Sequence, residues 1–230
     1  MTDVVVVCEG RTEEAFINEV VQPALAFNAV YLQARLISTS SGAKGGALSR
    51  DRVVGGLGRV LRERNDTYIT TFFDLYGLPG GFPGRAEPER SSDPIARCQQ
   101  IEAALHGVVV EQAGCRQERF LPHIQPYEFE ALLLSDMGAF ARAEAQWHSV
   151  ESELASVVNA SASPEHVNDG FGTHPSARLK HAIPGYRKVT HGVRLATQIG
   201  LDRIRSECHH FGAWLGRMES LQPLNPGRSR

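Results

Sequence analysis

Residues 4–8, Val-Val-Val-Val-Cys, form an unbroken apolar run, and no other stretch restricts the fold as tightly. A strand covered on both faces accommodates such a run, as parallel strands in α/β proteins are covered. The run stops at Glu9-Gly10. Thr12 then reads as the cap of a helix that opens on Glu13-Glu14 and turns Ala15, Phe16, Val20 and Val21 inward. Acids in a first turn complement the positive end of the helix dipole. A carboxylate at the carboxyl end of a central strand stands where open α/β sheets place ligands, so Glu9 is the first candidate site residue. The competing reading of this stretch alone is a solvated turn acid.

The pattern then repeats. Val30–Ile37 reads as a second strand, and Ser38–Gly46 as a small-residue loop. That loop lacks the full G-x-x-x-x-G-K-[ST] pattern but offers one cation, Lys44, to a phosphate. Leu48–Arg64 has helical spacing, and Thr67–Phe73 is an aromatic and β-branched third strand that runs into Asp74. A second acid therefore ends a second strand. Residues 77–94 are a Gly- and Pro-rich loop, after which Asp93 caps and Pro94 opens a helix reaching about Ala113. Phe120–Gln125, bounded by Pro122 and Pro126, reads as a short edge strand, and Tyr127–Leu134 passes from extended into helix. Alternating strands and helices predict an α/β core over residues 1–135 built on a parallel sheet flanked by helices. Residues 136–221 are expected to be a helical extension packed on that core, and 222–230 a tail.

Glu9, Asp74, Glu128 and Glu130 each follow or adjoin a strand end, and are the expected catalytic residues. Carboxylate oxygens without thiolates or imidazoles select hard cations, so Mg²⁺ or Mn²⁺ is expected, held by Glu9, Asp74 and Glu128 or Glu130. Such a site suits phosphoryl chemistry. Glu128 and Glu130 share a face only in extended backbone, since on a helix they diverge by about 200°.

Charge is unevenly spread. The first 170 residues hold 23 acids against 14 bases, whereas the last sixty hold 10 bases against 3 acids. Within the basic end, Arg187, Lys188, His191 and Arg194 are the expected phosphate contacts, with Tyr186 able to stack on a base. A solvated turn is the competing reading. His209-His210 has no complementary ligand pair nearby in sequence and reads as packing. The four cysteines form no C-x-x-C pair and are expected to be reduced thiols in a cytoplasm. No stretch approaches the roughly 20 apolar residues of a membrane span, and no membrane partner is expected.

Five segments in order, V-C-E-G-R-T-E-E, F-F-D-L-Y-G-L-P, P-Y-E-F-E-A-L-L-L-S-D, P-G-Y-R-K-V-T-H-G and I-R-x-x-C-x-H-F, resemble the bacterial domain-of-unknown-function family 4276, grouped with Toprim-like proteins. The resemblance covers Val4 to about Glu219. It implies a Toprim-like, Rossmann-like fold, with Glu9, Asp74 and a glutamate of Tyr127-Glu128-Phe129-Glu130 as metal ligands. Toprim relatives include the nuclease domains of overcoming-lysogenization-defect proteins. The resemblance thus implies a metal-dependent nuclease acting on DNA or RNA, in phage defence with an ATPase partner; separately, a homodimer is one possible assembly. Toprim domains usually carry D-x-D, whereas Asp74-Leu75-Tyr76 gives D-x-Y. The alternative is therefore a catalytically silent subunit that binds a partner ATPase or a nucleotide.

Overall fold

The structure, a computed structural model, describes residues 1–37, 49–85, 91–168 and 172–225. The valine run becomes β1 (Thr2–Cys8), followed by α1 (Arg11–Phe16), a π-helical turn at Ile17–Val21 and α2 (Gln22–Ala26). Then come β2 (Val30–Leu36), α3 (Arg50–Glu63), β3 (Tyr68–Asp74) and α4 (Pro94–Ala113). Two short strands, β4 (Phe120–Leu121) and β5 (Ile124–Gln125), complete a parallel sheet ordered β2-β1-β3-β4, with β5 beside the end of β3. The chain is an α/β protein.

The pleat of the two central strands divides the core. Val4, Val6 and Cys8 of β1 join Tyr68 and Phe72 of β3 on one face, while Val5, Val7, Ile69 and Phe73 pack on α3 and α4 from the other. The later helices also build on the first face. These are α5 (Gly138–Ala143), α6 (Val150–Ala160), α7 (Pro175–Ala182), α8 (Val193–Ile199), α9 (Leu201–Glu207) and α10 (His209–Glu219). Phe16, Phe72, Phe129, Phe211 and Trp214 meet there, with Phe16 and Phe129 centroids 5.1 Å apart.

Two local expectations change. Gly10, not Thr12, is the N-cap of α1, so the helix begins at Arg11 and Thr12 is buried inside its first turn. No side chain caps it, because glycine supplies none. The edge strand is split, since Pro122 carries no N–H for a ladder. Thr71 bridges the gap instead: its Oγ1 donates to the His123 carbonyl at 2.8 Å and accepts from the His123 N–H at 3.0 Å. The start of α4 follows the sequence, with Asp93 Oδ1 accepting from the Ile95 N–H at 3.0 Å and Pro94 in the first turn. Asp93→Ala should cost about 1 kcal/mol in denaturant-monitored stability, the usual loss for an N-cap. Among the described residues no helix is long and apolar enough to cross a membrane.

Candidate metal centre

The strand order turns back between β1 and β3, which are neighbours although β2 separates them in sequence. Crevices at such switch points, beyond the carboxyl ends of the strands, are where open α/β sheets bind ligands. Glu9 follows β1 directly and Asp74 closes β3. Asp74 Oδ1 accepts from the Phe129 N–H at 2.9 Å, and the Tyr76 N–H donates to the Tyr127 carbonyl at 2.9 Å. These bonds bring the 127–130 segment against the end of β3. Tyr127 adopts φ of 57°, a left-handed value that is uncommon for a bulky residue and clusters at functional sites. Glu128 next to it is fully extended, and a 3₁₀ turn begins at Phe129. The extended residue lets Glu128 and Glu130 converge on one cation: Lys188 Nζ lies 3.4 Å from Glu128 Oε2 and 3.0 Å from Glu130 Oε2.

Glu128 is fully engaged. Its Oε1 accepts from the Ser176 N–H at the start of α7 and lies 2.9 Å from His174 Nδ1. Burial pushes its carboxyl up, but Lys188 and the bonds from Ser176 and His174 outweigh this and hold it below the ordinary range. Glu130 is different. It is 1% exposed, and its Oε1 has no hydrogen-bond partner among the described residues. Burial raises its carboxyl to about 7 against the pull of Lys188. Glu9 likewise keeps Oε2 buried without a partner and is raised to about 7, by burial first and then by Glu13. Asp74 is pushed well above the carboxylate range by burial and by the charges of Glu13, Glu130 and Glu9.

Glu13 belongs to this set, although its position in a helical first turn gave it only a dipole role in the sequence. One turn after Glu9 it is 8% exposed, raised by burial, and opposed by backbone amides at the helix start, Lys188 among the charges. The spacing Glu9 to Glu13 across Gly10 was the available signal. Gly77 completes the cradle, since a Cβ there would lie 2.6 and 2.7 Å from the two Glu9 oxygens. Gly77→Ala, at an exposed position, should leave the fold intact and weaken divalent-cation binding measured by calorimetry by about tenfold, the scale of a displaced supporting contact.

Among the described residues, five carboxylates surround one lysine, and two buried oxygens, Glu9 Oε2 and Glu130 Oε1, have no hydrogen-bond donor. A hard divalent cation fits this donor set, with Glu9, Asp74 and Glu130 as the residues that would hold it. Free of metal, the folded chain retains protons on Glu9 and Glu130 up to about pH 7, where the unfolded chain has lost them. The folded state then binds more protons, so stability must fall as pH rises from the ordinary carboxylate range through about 7. Thermal melts of chelated protein should show that decline, and Mn²⁺ should reverse it at the alkaline end.

The basic residues divide. Lys188 enters the acidic centre at the head of a π-helical segment, Lys188–Gly192. Arg187 is exposed, and its N–H donates to His191 Nδ1 at 3.1 Å. His191 packs edge-on against Trp147, with centroids 5.1 Å apart. Arg194 is paired with Glu144. Lys44 lies outside the described residues. Tyr186 is 9% exposed with its hydroxyl against Gly192, so its ring is closed to a stacking base. The exposed ring at the centre is Tyr76, 46% exposed and 5.1 Å from the His174 ring. All four cysteines are free thiols.

A family model described as domain of unknown function DUF4276 matches residues 8–219. No curated protein and no solved structure matches the chain.

Proposed function

We propose that this chain, which belongs to the DUF4276 family, is a divalent-metal-dependent phosphodiesterase acting on nucleic acid. The observation that carries the reading is the pair of buried, unpartnered oxygens on Glu9 and Glu130 inside a five-carboxylate centre at the sheet's switch point. Mg²⁺ or Mn²⁺ bound there would supply Lewis-acid polarisation of a phosphate. Around it, Asp74 is oriented by the Phe129 amide, and Glu128 fixes Lys188 and His174 at the rim. Lys188, 37% exposed, can reach a phosphate oxygen as well as its two glutamates. Tyr76 and His174 offer a base an aromatic face beside the scissile position.

Glu13, absent from the D-x-D comparison, supplies a carboxylate in place of the one that D-x-Y lacks, and this favours the enzyme reading over the silent-subunit alternative. The Toprim-like relationship, a cytoplasmic location and a role in phage defence beside an ATPase are parts of the same proposal. The deciding experiment incubates the purified chain, with and without Mn²⁺, on labelled single-stranded DNA, duplex DNA and RNA. Cleavage that requires the cation is expected. Cation binding with no cleavage of any substrate, ATPase supplied, would install the silent subunit instead. Arg187 is exposed and follows directly before Lys188, so Arg187→Ala should lower the slope of log affinity against log salt by about one unit on every sequence.

A further inference from the structure

A second cluster of ligating side chains lies apart from the five carboxylates. Glu102 of α4, His123 between the two short strands, and His210 of α10 place one donor atom each within 4.8 Å of one another. Glu102 Oε1 lies 2.8 Å from His210 Nε2 and 3.6 Å from His123 Nδ1. The rings of His123 and His210 stack, with centroids 5.0 Å apart, and His123 also stacks on Trp214 at 5.2 Å. His123 is 1% exposed and His210 8%.

We propose that Glu102, His123 and His210 bind a first-row transition metal, zinc being the ion their chemistry fits. Two imidazoles and one carboxylate are a zinc donor set, whereas the all-carboxylate centre favours harder ions. The supporting contacts are those that ligating residues have. His123 Nε2 lies 3.3 Å from Gln125 Oε1, a carbonyl that can only accept a hydrogen bond, which suits the tautomer with the proton on Nε2 and the lone pair on Nδ1. That lone pair faces another acceptor, Glu102 Oε1, and a cation between them resolves the opposition. Glu102 Oε1 is itself steadied by the Ile124 N–H at 2.8 Å. Glu165 accepts from the His210 and Phe211 N–H groups at 2.8 and 3.0 Å, which fixes the start of α10 and so the His210 ring. The ion would take the place of the hydrogen that bridges His210 Nε2 and Glu102 Oε1 across 2.8 Å. Three protein donors leave one position of a tetrahedral ion open. The ion would tie α4, the β4–β5 link and α10 together across the core.

The test uses the full chain carrying Asp74→Asn, so that the acidic centre does not compete. Zn²⁺ is titrated against a chromophoric chelator, and Co²⁺ is added separately to read the visible bands of a tetrahedral site. One ion per chain is expected. His123→Phe, which keeps an aromatic ring against Trp214, and His210→Gln should each weaken zinc by more than about 100-fold, beyond the loss a supporting contact gives. No zinc retained by the starting chain, or affinity unchanged in His123→Phe, would overturn the proposal and leave a buried Glu102–His210 ion pair. Should His210→Gln not fold, the starting chain and His123→Phe decide the matter alone.

Discussion

Asp74→Asn should abolish the proposed cation-dependent cleavage and leave the chain folded, more stable without metal than the parent. Asparagine keeps an oxygen in the place of Asp74 Oδ1, so the 2.9 Å bond from the Phe129 N–H survives and the 127–130 segment stays docked. What disappears is a negative charge that burial, Glu13, Glu130 and Glu9 all oppose. Removing it relieves repulsion in the metal-free protein and subtracts a ligand from the metal-bound one. The cleavage rate should fall at least about 100-fold, or roughly 2.7 kcal/mol of transition-state stabilisation. The chelated protein's melting temperature should rise. A function bought with local instability behaves this way. Both readouts matter: an inactive variant that also melts lower would mark Asp74 as structural, and an active one would remove it from the metal centre.

Local order was legible where it is written in neighbouring residues. Four consecutive valines announce a strand covered on both faces, and Asp93-Pro94 announces the start of α4 because cap and first turn are adjacent. Two acids ending two strands, Glu9 and Asp74, were legible because parallel strands point their ends the same way. What failed to show was convergence between distant segments. Glu13 looked like a dipole-compensating acid, and only the approach of Lys188 and Glu128 makes it part of a centre. Lys188 counted toward a basic end, yet its place on a π-helical turn carries it into the acids, while Arg194 turns to Glu144. Charge totals record how many cations a segment has and nothing about where they face. His210 lacked a partner within its own stretch because its partner, Glu102, lies 108 residues earlier. Tyr186 looked available to a base from its basic neighbours, and tertiary packing against Gly192 closes it off.

Lys188→Met should reveal how much of the acidic centre the lysine holds together. Its ammonium stands 3.0 Å from Glu130 and 3.4 Å from Glu128. Burial works against its charge, but the two glutamates hold it above its ordinary value. Stripping one partner from a fully buried ion pair costs about 3–5 kcal/mol because the other charge is left behind. Lys188 is 37% exposed, so solvent screening reduces this to about 2 kcal/mol in chelated protein near pH 8. Methionine fills the aliphatic stem without the charge and keeps the packing comparison fair. The pH dependence identifies the cause. Without the lysine, the folded-state value of Glu130 moves further above that of the unfolded chain, and Glu128 loses the largest of the pulls that hold it below. The penalty is then complete above the raised values and fades as pH falls and the carboxyls become neutral. Denaturant titrations should therefore show a gap between variant and parent near pH 8 that narrows toward about pH 5. Mn²⁺ should narrow it at the alkaline end too, by taking over part of the lysine's neutralising charge. A gap that is the same at both ends of the range would mean that packing, not charge, makes the lysine matter, and the centre's demand for a cation would rest on the bare oxygens of Glu9 and Glu130 alone.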